Sequence, residues 1–402
     1  MVRKKVFIAM DTMLCGGIEK SILSLLYALS PEKMEVTLCL DRMSGEFLSF
    51  IPDWVNVVTV GYNTYAKAEK YLGRKRLLKA LLKRHSYYVA LKLFIQQYKE
   101  NKLSKDDRRI ARAQRLYKSS SMFNETYDLA VAYANLEQVI YVADHIKALK
   151  KITWFHTQLD EQREDVRKYV YWLNQYASFY CVSKALTESF KQTLPQYADR
   201  VKFFPHIINI NMMQNWADRK PINWSLSDSE CFRILSVGRL SYQKGFDLIP
   251  QIAVLLKEAG HKFSWYIIGD GSEKVSILES IQELDMADCV KLIGIELNPY
   301  PFFEACDLYV QPSRYEGYCL TLAEARAFCK PIVSTFFDGS VEQLQGGRLG
   351  RITDCKIEPL FHAIDEMLAS RQLRQSFIKQ LKKDVVGDMQ GVKIFLSELD
   401  YE

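Results

Sequence analysis

Short apolar runs that alternate with helical patterns restrict the fold of this chain more than any other feature. In the first half these runs are KVFIAM, VTLCL, VNVVTV, YDLAVAY, KITWF, SFYCVS and VKFFP. In the second half they are FRILSVG, FSWYIIG, VKLIG, DLYVQP and PIVST. Such alternation is typical of βαβ units and a parallel sheet. A chain of 402 residues is too long for one ordinary core, so we expect two domains.

The strand series pauses between about 210 and 230, where no clean period is found, and we interpret this stretch as a linker. We therefore expect an α/β protein with two Rossmann-like, doubly wound domains, 1–210 and 211–385, that face each other over a cleft. A basic helical insertion is expected at about 64–120, and a C-terminal helix at about 386–402 is expected to pack back. Ligands of such sheets bind beyond the carboxyl ends of the strands, so candidate site residues should follow strands.

Composition excludes several classes of protein. With 48% hydrophobic and 25% charged residues the chain is typical of a globular protein. The first apolar run ends at Asp11, too early for a signal peptide, and no later run reaches the length of a membrane span. The nine cysteines include no C-x-x-C pair, which favours reduced thiols over a disulfide framework or a zinc site. We expect a cytoplasmic protein.

Two loops after expected strands carry features of anion binding. Gly16 and Gly17 precede a helix after the first strand, where small residues let a ligand approach the helix N-terminus. An ordinary strand-to-helix turn explains the same pair, and the spacing is not that of a dinucleotide fingerprint. After FRILSVG, Arg239 and Lys244 precede another helix and suit a diphosphate, although two solvated charges explain them equally.

The stretch YEGYCLTLAEA places two glutamates on either side of a loop and a helix start. Glu316 lies in the loop, where it could reach sugar hydroxyls, and Gly317 permits an unusual turn that leads to the amides near Cys319 and Leu320. Glu324, inside the helix, could accept two hydrogen bonds from a ribose. The alternative is a loop acid and an exposed helix acid. His156, after KITWF, is a further candidate, or a partly buried structural histidine.

Together these residues resemble the retaining glycosyltransferases of family 4, which have the GT-B fold. Glu316 and Glu324 match the family's E-x7-E motif, and VGRLSYQKGFD resembles its G-R-L…K-G-x-D segment. IIGDGSE and CGGIEK are similar to two further motifs of the family. The resemblance is continuous from about 235 to 350 and patchy in the first half. One departure is PHIIN, with His206 where relatives often have Pro-Asn-Gly at the hinge.

The resemblance implies roles for individual residues. Arg239 and Lys244 would hold the donor diphosphate, Glu324 the ribose, and Glu316 the transferred sugar. His156 would face the donor sugar, and the expected catalytic residues are Glu316, His156, Arg239 and Lys244. The remaining residues implied in donor binding are Gly16, Gly17, Gly317, Tyr318, Cys319 and Leu320. Because no D-x-D pair occurs, the resemblance implies neither a metal nor another cofactor.

The positive charge of the chain is concentrated in residues 67–118, which contain 17 Lys or Arg against 4 Asp or Glu. Within it, Leu77, Leu78, Leu81 and Leu82 recur at helical spacing among basic residues that include Arg84. A basic amphipathic helix can lie on an anionic membrane, whereas the alternative is a helix packed by its leucines with a solvated basic face. No motif that reads nucleic acid accompanies the charge.

We therefore expect a retaining hexosyltransferase that uses a nucleotide-sugar and extends a lipid-linked saccharide on the inner face of the membrane, in cell-surface polysaccharide biosynthesis. UDP is the preferred nucleotide, with GDP-mannose second, and protein or teichoic-acid-like acceptors stay open. A non-catalytic GT-B partner of an active enzyme is the alternative, and a sugar-nucleotide epimerase has less support because it needs no basic segment.

Overall fold

The computed structural model of the chain describes residues 2–62, 69, 73–83, 85–118, 120, 123–156, 165–218, 231–384 and 389–400. The chain divides into two compact units, one formed by Met1–Pro205 with Gln390–Glu402 and the other by His206–Met389. Each unit contains a parallel sheet with helices, so the expected fold class of two Rossmann-like domains is confirmed. Within the described residues, no helix combines the length and the apolar character needed to cross a lipid bilayer.

The first unit contains a seven-stranded sheet in the order β3-β2-β1-β4-β5-β6-β7. Its strands are β1 (Lys4–Met10), β2 (Met34–Leu40), β3 (Asn56–Thr59), β4 (Thr126–Ala134), β5 (Lys147–Phe155), β6 (Ser178–Cys181) and β7 (Val201–Phe203). Its helices are α1 (Gly17–Ala28), α2 (Arg74–Lys83), α3 (Tyr87–Asn101), α4 (Lys105–Tyr117), α5 (Leu136–His145), α6 (Val170–Leu173) and α7 (Lys184–Thr193). The strand order reverses between β1 and β4, the position at which ligands bind in open sheets.

The second unit contains a six-stranded sheet in the order β10-β9-β8-β11-β12-β13. Its strands are β8 (Phe232–Val237), β9 (Phe263–Ile268), β10 (Val290–Gly294), β11 (Leu308–Gln311), β12 (Ile332–Thr335) and β13 (Arg351–Thr353). Its helices are α8 (Ile210–Ala217), α9 (Ile249–Glu258), α10 (Lys274–Glu283), α11 (Tyr300–Ala305), α12 (Leu320–Ala327), α13 (Asp338–Gln343), α14 (Ile357–Ala369) and α15 (Arg371–Lys383). Here the order reverses between β8 and β11.

All twelve expected strands are present, but one expectation about the second unit was wrong and one strand was not predicted. Part of the expected linker is helix α8, whose Asn209 caps the first turn by accepting a hydrogen bond from the Met212 amide at 3.0 Å. The Trp216 carbonyl of this helix accepts a hydrogen bond from Asn298 at 2.7 Å, so α8 is packed into its unit. Residues 219–230 of the expected linker lie outside the described residues. Strand β13 was missed because it has only three residues, two of them polar.

Helix α16 (Gln390–Ser397) completes the first unit, although it follows the whole second unit in the chain. Phe395 stacks on Trp154 of β5 with ring centroids 5.9 Å apart. Beyond the helix, the buried carboxylate of Glu398 accepts hydrogen bonds from Ser178 at 3.0 Å and from Tyr180, and pairs with Lys150 at 3.1 Å. These contacts attach the last turn of the chain to β5 and β6.

Helices α2, α3 and α4 form the basic insertion between β3 and β4. Two of the leucines noted in the sequence, Leu77 and Leu81, are buried against Ala90 of α3. This favours the alternative in which α2 is packed by its leucines. Arg84, part of the same expected helix, lies outside the described residues.

The insertion also buries charge. Glu69 and Glu100 are almost fully buried, and both are paired with Arg74 and Arg115 at 2.7–3.3 Å. Buried carboxylates need such partners because an uncompensated buried charge is strongly destabilising. Part of the positive charge counted in the sequence is therefore neutralised inside the insertion.

Glu398→Ala should lower the free energy of unfolding of the first unit by about 3 kcal/mol at pH 7, because three donors are left buried without their acceptor. Burial acts to raise the pKa of Glu398, but hydrogen bonds from Tyr180, Lys150 and Ser178 outweigh it, so its pKa lies below the ordinary 4.5. Its contribution is thus present above pH 4.5 and is lost as the pH falls below that value.

Urea unfolding of both proteins between pH 3 and pH 7 measures this difference. The control is Glu188→Ala, an exposed carboxylate paired with Lys191, which should change stability by less than about 0.5 kcal/mol. An equal effect of the two substitutions at pH 7 would contradict the assignment.

Candidate functional site

Two loops meet where the strand order of the second sheet reverses. One follows β8 and the other follows β11, and the backbone amide of Arg314 donates to the Gln243 carbonyl at 2.8 Å. The Gln243 side chain donates in turn to the Tyr315 carbonyl at 3.0 Å. Gly245 adopts a left-handed conformation, with φ 68°, and a Cβ there would collide with the Pro312 carbonyl. Only glycine therefore allows this close approach of the two loops.

An ion pair between Arg314 and Asp247 fastens the same two loops. The guanidinium donates two hydrogen bonds to the Asp247 carboxylate, at 2.7 and 2.6 Å, and lies 3.9 Å from the centroid of the Tyr242 ring. The hydrogen bonds that Arg314 donates to Asp247 raise the pKa of Arg314. The sequence gives no signal for Arg314, whereas Asp247 could be noticed as the end of the KGFD run. Their pairing is long-range, and such pairs are not visible in a single sequence.

Lys244 and Glu316, two of the expected site residues, form a partly buried ion pair. Their side chains are 17% and 9% exposed, and Ser313 donates a second hydrogen bond to Glu316 at 3.0 Å. Burial acts to lower the pKa of Lys244, but the charges of Cys319 and Glu316, together with the hydrogen bond to Glu316, outweigh it and the net pKa is raised. Arg239 is exposed, and its positive charge acts to lower the pKa of Lys244. The expected clamp of two cations is thus one partly buried lysine held by Glu316 and one exposed arginine.

A chain of buried polar side chains stands behind Glu316. The side-chain oxygen Oε1 of Gln311 accepts hydrogen bonds from the Tyr309 and Thr321 hydroxyls, at 2.5 and 3.1 Å. Its amide nitrogen donates to Ser313 at 2.8 Å, so the Ser313 hydroxyl is directed to donate to Glu316. Each donor meets one acceptor, and the chain ends on the carboxylate of Glu316, which holds that side chain in one orientation.

The segment between Glu316 and α12 is bent at Cys319 and not at the expected Gly317. Cys319 has φ 63° and precedes α12, whereas Gly317 does not have a positive φ and has open space around the position of a Cβ. The buried Gln343 donates to the Tyr318 carbonyl and, at 3.3 Å, to the Cys319 carbonyl. Since a peptide N–H points opposite to its C=O, the amides of Cys319 and Leu320 face away from Gln343.

Glu324 lies inside α12 and is 4% exposed, contrary to the alternative of an exposed helix acid. Its carboxylate accepts a hydrogen bond from the Tyr300 hydroxyl at 3.2 Å. Burial, together with the charge of Glu324, raises the pKa of Tyr300, so this phenol stays a donor. Glu324 is therefore held in one orientation from the side of α11.

The first unit places its candidates at the carboxyl edge of its own sheet. Gly16 precedes α1 with an extended backbone, and Gly17 is exposed at the first helical position. Glu19, in the first turn, has a raised pKa, mainly through burial and also through the charges of Asp11 and Glu46. These acids reduce the attraction of this helix N-terminus for an anion.

His156 directly follows β5, and its ring lies 4.7 Å from that of Tyr133. It is partly buried at the same edge of the first sheet as Gly16. Each unit thus places its own candidates beyond the carboxyl ends of its strands. Within the described residues, no group of three or more His, Cys, Asp or Glu is placed to hold a metal ion.

His206, at the departure from the expected hinge sequence, is the first residue of the second unit. Its ring lies 4.8 Å from the ring of Tyr318, the residue whose carbonyl is held by Gln343. Burial lowers the pKa of His206 to about 4, so the ring is neutral at pH 7. A neutral ring can pack on Tyr318 without the cost of burying a charge.

The chain was compared with family models, known proteins and solved structures, and it is similar to glycosyltransferases in all three. Residues 219–384 match the model of the family described as "Glycosyl transferases group 1". The amylovoran biosynthesis glycosyltransferase AmsD of Erwinia amylovora is 31% identical over 149 residues, which cover 36% of this chain and 41% of AmsD.

A second relative, from Campylobacter jejuni, is an N-acetylgalactosamine-N,N'-diacetylbacillosaminyl-diphospho-undecaprenol 4-alpha-N-acetylgalactosaminyltransferase. It is 29% identical over 170 residues, which cover 42% of this chain and 46% of that protein. The chain therefore matches less than half the length of each of these relatives.

Solved structures match over nearly the whole chain. Anabaena Alr3699/HepE in complex with UDP and glucose aligns with a TM-score of 0.68 and 15% identity, covering 99% of this chain and all of that chain. WaaG, a glycosyltransferase involved in lipopolysaccharide biosynthesis, aligns with a TM-score of 0.59 and 12% identity, covering 97% and 98%. At these identities the likeness establishes the GT-B fold.

Gly245→Ala should destabilise the second unit by about 3 kcal/mol or more, because the added Cβ collides with the Pro312 carbonyl and the φ of 68° is strained. Gly317→Ala should stay within about 0.5 kcal/mol, because its Cβ meets open space. Urea unfolding of the two variants measures both values. Similar losses in the two would show that the bend has been placed at the wrong residue.

His206→Asn should reduce the acid sensitivity of the second unit. Since the folded-state pKa of about 4 lies below the ordinary 6.5, wild-type stability falls as the pH drops from 6.5 towards 4. Thermal unfolding at pH 7 and pH 4.5 measures the change, with the exposed His362→Asn as control. A variant that loses as much stability as the wild type across this range would contradict the burial of His206.

Proposed function

Because residues 219–384 of the chain match the model of the glycosyl transferases group 1 family, we propose that the protein is a retaining glycosyltransferase. It moves a hexose-type sugar from a nucleotide-sugar to a lipid-linked saccharide in cell-surface polysaccharide biosynthesis. The observation that carries this proposal is the Lys244–Glu316 pair at the reversal point of the second sheet, beside the start of α12. It combines a cation, a carboxylate and two backbone amides in one place.

Lys244 is proposed to bind the donor diphosphate. An ammonium group has three N–H donors, so one can remain on Glu316 while the others reach phosphate oxygens. Arg239 adds an exposed guanidinium fork, which suits phosphate oxygens. The amides of Cys319 and Leu320 at the start of α12 add donors with the favourable end of the helix dipole. All these groups stabilise negative charge on a departing diphosphate.

Glu316 and Glu324 are proposed to bind the sugars of the donor. Glu316 is fixed by Lys244 and Ser313 and accepts from hydroxyls of the transferred sugar, beside the open space over Gly317. Glu324 keeps Tyr300 on one oxygen and is proposed to accept from the ribose with the other. Carboxylates suit both roles because they only accept.

The proposed reaction takes place on one face of the sugar. The bond between the anomeric carbon and the phosphate oxygen breaks, and a new bond forms from an acceptor hydroxyl oxygen to that carbon. The proton of the hydroxyl passes to the departing phosphate. The protein then needs no side-chain nucleophile, and its contribution is charge stabilisation and orientation. We propose that no metal is required, since Lys244 and Arg239 supply the positive charge.

The nucleotide and the acceptor are proposed from the relatives. HepE was solved with UDP, which supports a UDP-sugar donor. The Campylobacter jejuni relative acts on a saccharide linked to diphospho-undecaprenol, which supports a lipid-linked acceptor at the inner face of the membrane. Gly16, Gly17 and His156 of the first unit are proposed to contact the donor phosphates and sugar.

Calorimetric and thermal-shift titrations with UDP, GDP, ADP and their sugar conjugates, without metal, should identify one nucleotide that binds. Lys244→Ala should weaken its binding by about 10- to 100-fold, the equivalent of charge-assisted hydrogen bonds. Lys257→Ala, a half-exposed lysine at the end of α9, is the matched control and should leave binding unchanged. Binding of no nucleotide, with or without magnesium, would instead favour a non-catalytic GT-B partner.

Glu316→Gln should separate binding from transfer. The amide keeps the shape of the side chain but removes the charge that orients Lys244, so nucleotide binding should persist while sugar transfer and donor hydrolysis fall by about 100-fold or more. Radiolabelled donor hydrolysis measures the loss without a known acceptor. Wild-type rates in this variant would show that Glu316 has no role in the reaction.

A further inference from the structure

Helix α3 of the basic insertion carries an outward apolar face that the described residues do not cover. Tyr87, Leu91, Phe94, Ile95 and Tyr98 recur at helical spacing along this face, and their side chains are 47–61% exposed. Tyr88, beside them, is also exposed. Large apolar side chains that are scattered singly are ordinary on a protein surface, but a continuous stripe on one helix marks an interaction site.

This stripe is distinct from the face by which α3 is held in the insertion. Ala90 is buried against Leu77 and Leu81 of α2, with Val89 and Leu93 packed beside it. Glu100, on the same inner side, is fixed by Arg74 and Arg115. The helix is therefore apolar on two sides, and packing within the insertion accounts for one of them.

The surface around the stripe is strongly positive. Lys92 and Lys99 follow Leu91 and Tyr98 by one residue and lie along one edge of the stripe, and Lys102 lies 4.6 Å from the Tyr98 ring centroid. The exposed basic residues of α2, α3 and the residue that follows α3 are Lys75, Arg76, Lys79, Lys83, Lys92, Lys99 and Lys102. The sequence from 73 to 102 contains one acidic residue, Glu100, and it is buried.

We propose that the α3 stripe, defined as Tyr87, Tyr88, Leu91, Phe94, Ile95 and Tyr98, docks on an anionic lipid surface with the helix axis in the plane of the interface. The docking rests on the proposed function, because it brings a lipid-linked acceptor to the enzyme. It also differs from the interpretation of the sequence, in which the leucines of α2 would face the membrane. Leu77 and Leu81 are buried and Leu82 is a single exposed leucine, so the continuous exposed apolar face belongs to α3.

The chemistry of the surface favours a lipid bilayer over the other occupants. Helices that lie in a membrane interface combine an apolar face with Lys and Arg beside it, and tyrosine rings suit the level of the headgroups. A second copy of the chain would bring the same lysines against each other in a symmetric contact, which like charges disfavour. An anionic leaflet complements them, and each basic residue near it contributes to binding.

Flotation of the full chain with lipid vesicles tests the proposal. Vesicles of phosphatidylcholine with about one third phosphatidylglycerol should carry the protein upward, whereas vesicles of pure phosphatidylcholine should carry much less. Without anionic lipid, every one or two basic residues at the surface should cost about tenfold in binding affinity. Raising the salt concentration should release the protein, since charges at a surface are screened. Failure of the wild-type chain to float with the anionic vesicles would overturn the proposal.

The triple variant Leu91→Ser, Phe94→Ser, Tyr98→Ser should weaken vesicle binding by at least about tenfold, since it removes the apolar part of the face. The matched control is Leu149→Ser, Tyr171→Ser, Ile295→Ser, three comparably exposed apolar residues elsewhere, which should float like the wild type. Equal thermal unfolding of the two variants shows that both are folded. Unchanged flotation of the α3 variant would overturn the proposal. The proposal would also be overturned if the wild type were a dimer, the α3 variant a monomer, and the two floated equally.

Nucleotide binding without vesicles separates this proposal from the proposed function. A wild-type chain that floats but binds no nucleotide leaves the docking surface supported and removes the glycosyltransferase assignment. A chain that binds a nucleotide but does not float removes the docking surface and leaves the assignment in place. The α3 variant should bind the nucleotide with wild-type affinity, because its substitutions lie in a different unit from Lys244 and Glu316.

Discussion

The ion pair between Lys244 and Glu316 is the interaction on which the second unit's candidate site depends. It joins the loop after β8 to the loop after β11, at the place where the sheet reverses its strand order. Removing two charges from water is costly, and the cost is offset only where geometry and further hydrogen bonds are good. Ser313 and Gln311 supply those hydrogen bonds from the core, and the Arg314–Asp247 pair holds the loops together from outside.

The backbone bend at Cys319 is held by side-chain and backbone contacts from another helix. A non-glycine residue in the left-handed region costs free energy, and such a conformation persists only where its surroundings enforce it. Gln343 holds the carbonyls on either side of the bend, and a Cβ on Gly339 would collide with the Gly317 carbonyl, so α13 packs directly on this loop. The orientation of the amides at the start of α12 is thus determined by a different helix.

Much of the fold could be predicted from the sequence, because parallel strands buried on both faces are nearly continuous apolar runs. The expected strands and the α12 helix follow from that pattern, whereas α8 was missed because a short helix beside a linker shows no clean period. The motif residues Lys244, Glu316 and Glu324 could be located from the sequence. Their partners Ser313, Tyr300 and Gln343 could not, because hydrogen bonds between distant segments leave no trace in local spacing.

The return of α16 to the first unit has a consequence for the order of folding during synthesis. Domains usually fold as units from the N-terminus onward while the chain is made. Here Phe395 and Glu398 supply contacts to β5 and β6, but they are translated after the entire second unit. The first unit therefore emerges from the ribosome with Trp154 and Tyr180 lacking these contacts. These contacts form only after the second unit has been synthesised, so the first unit is completed last although it begins the chain.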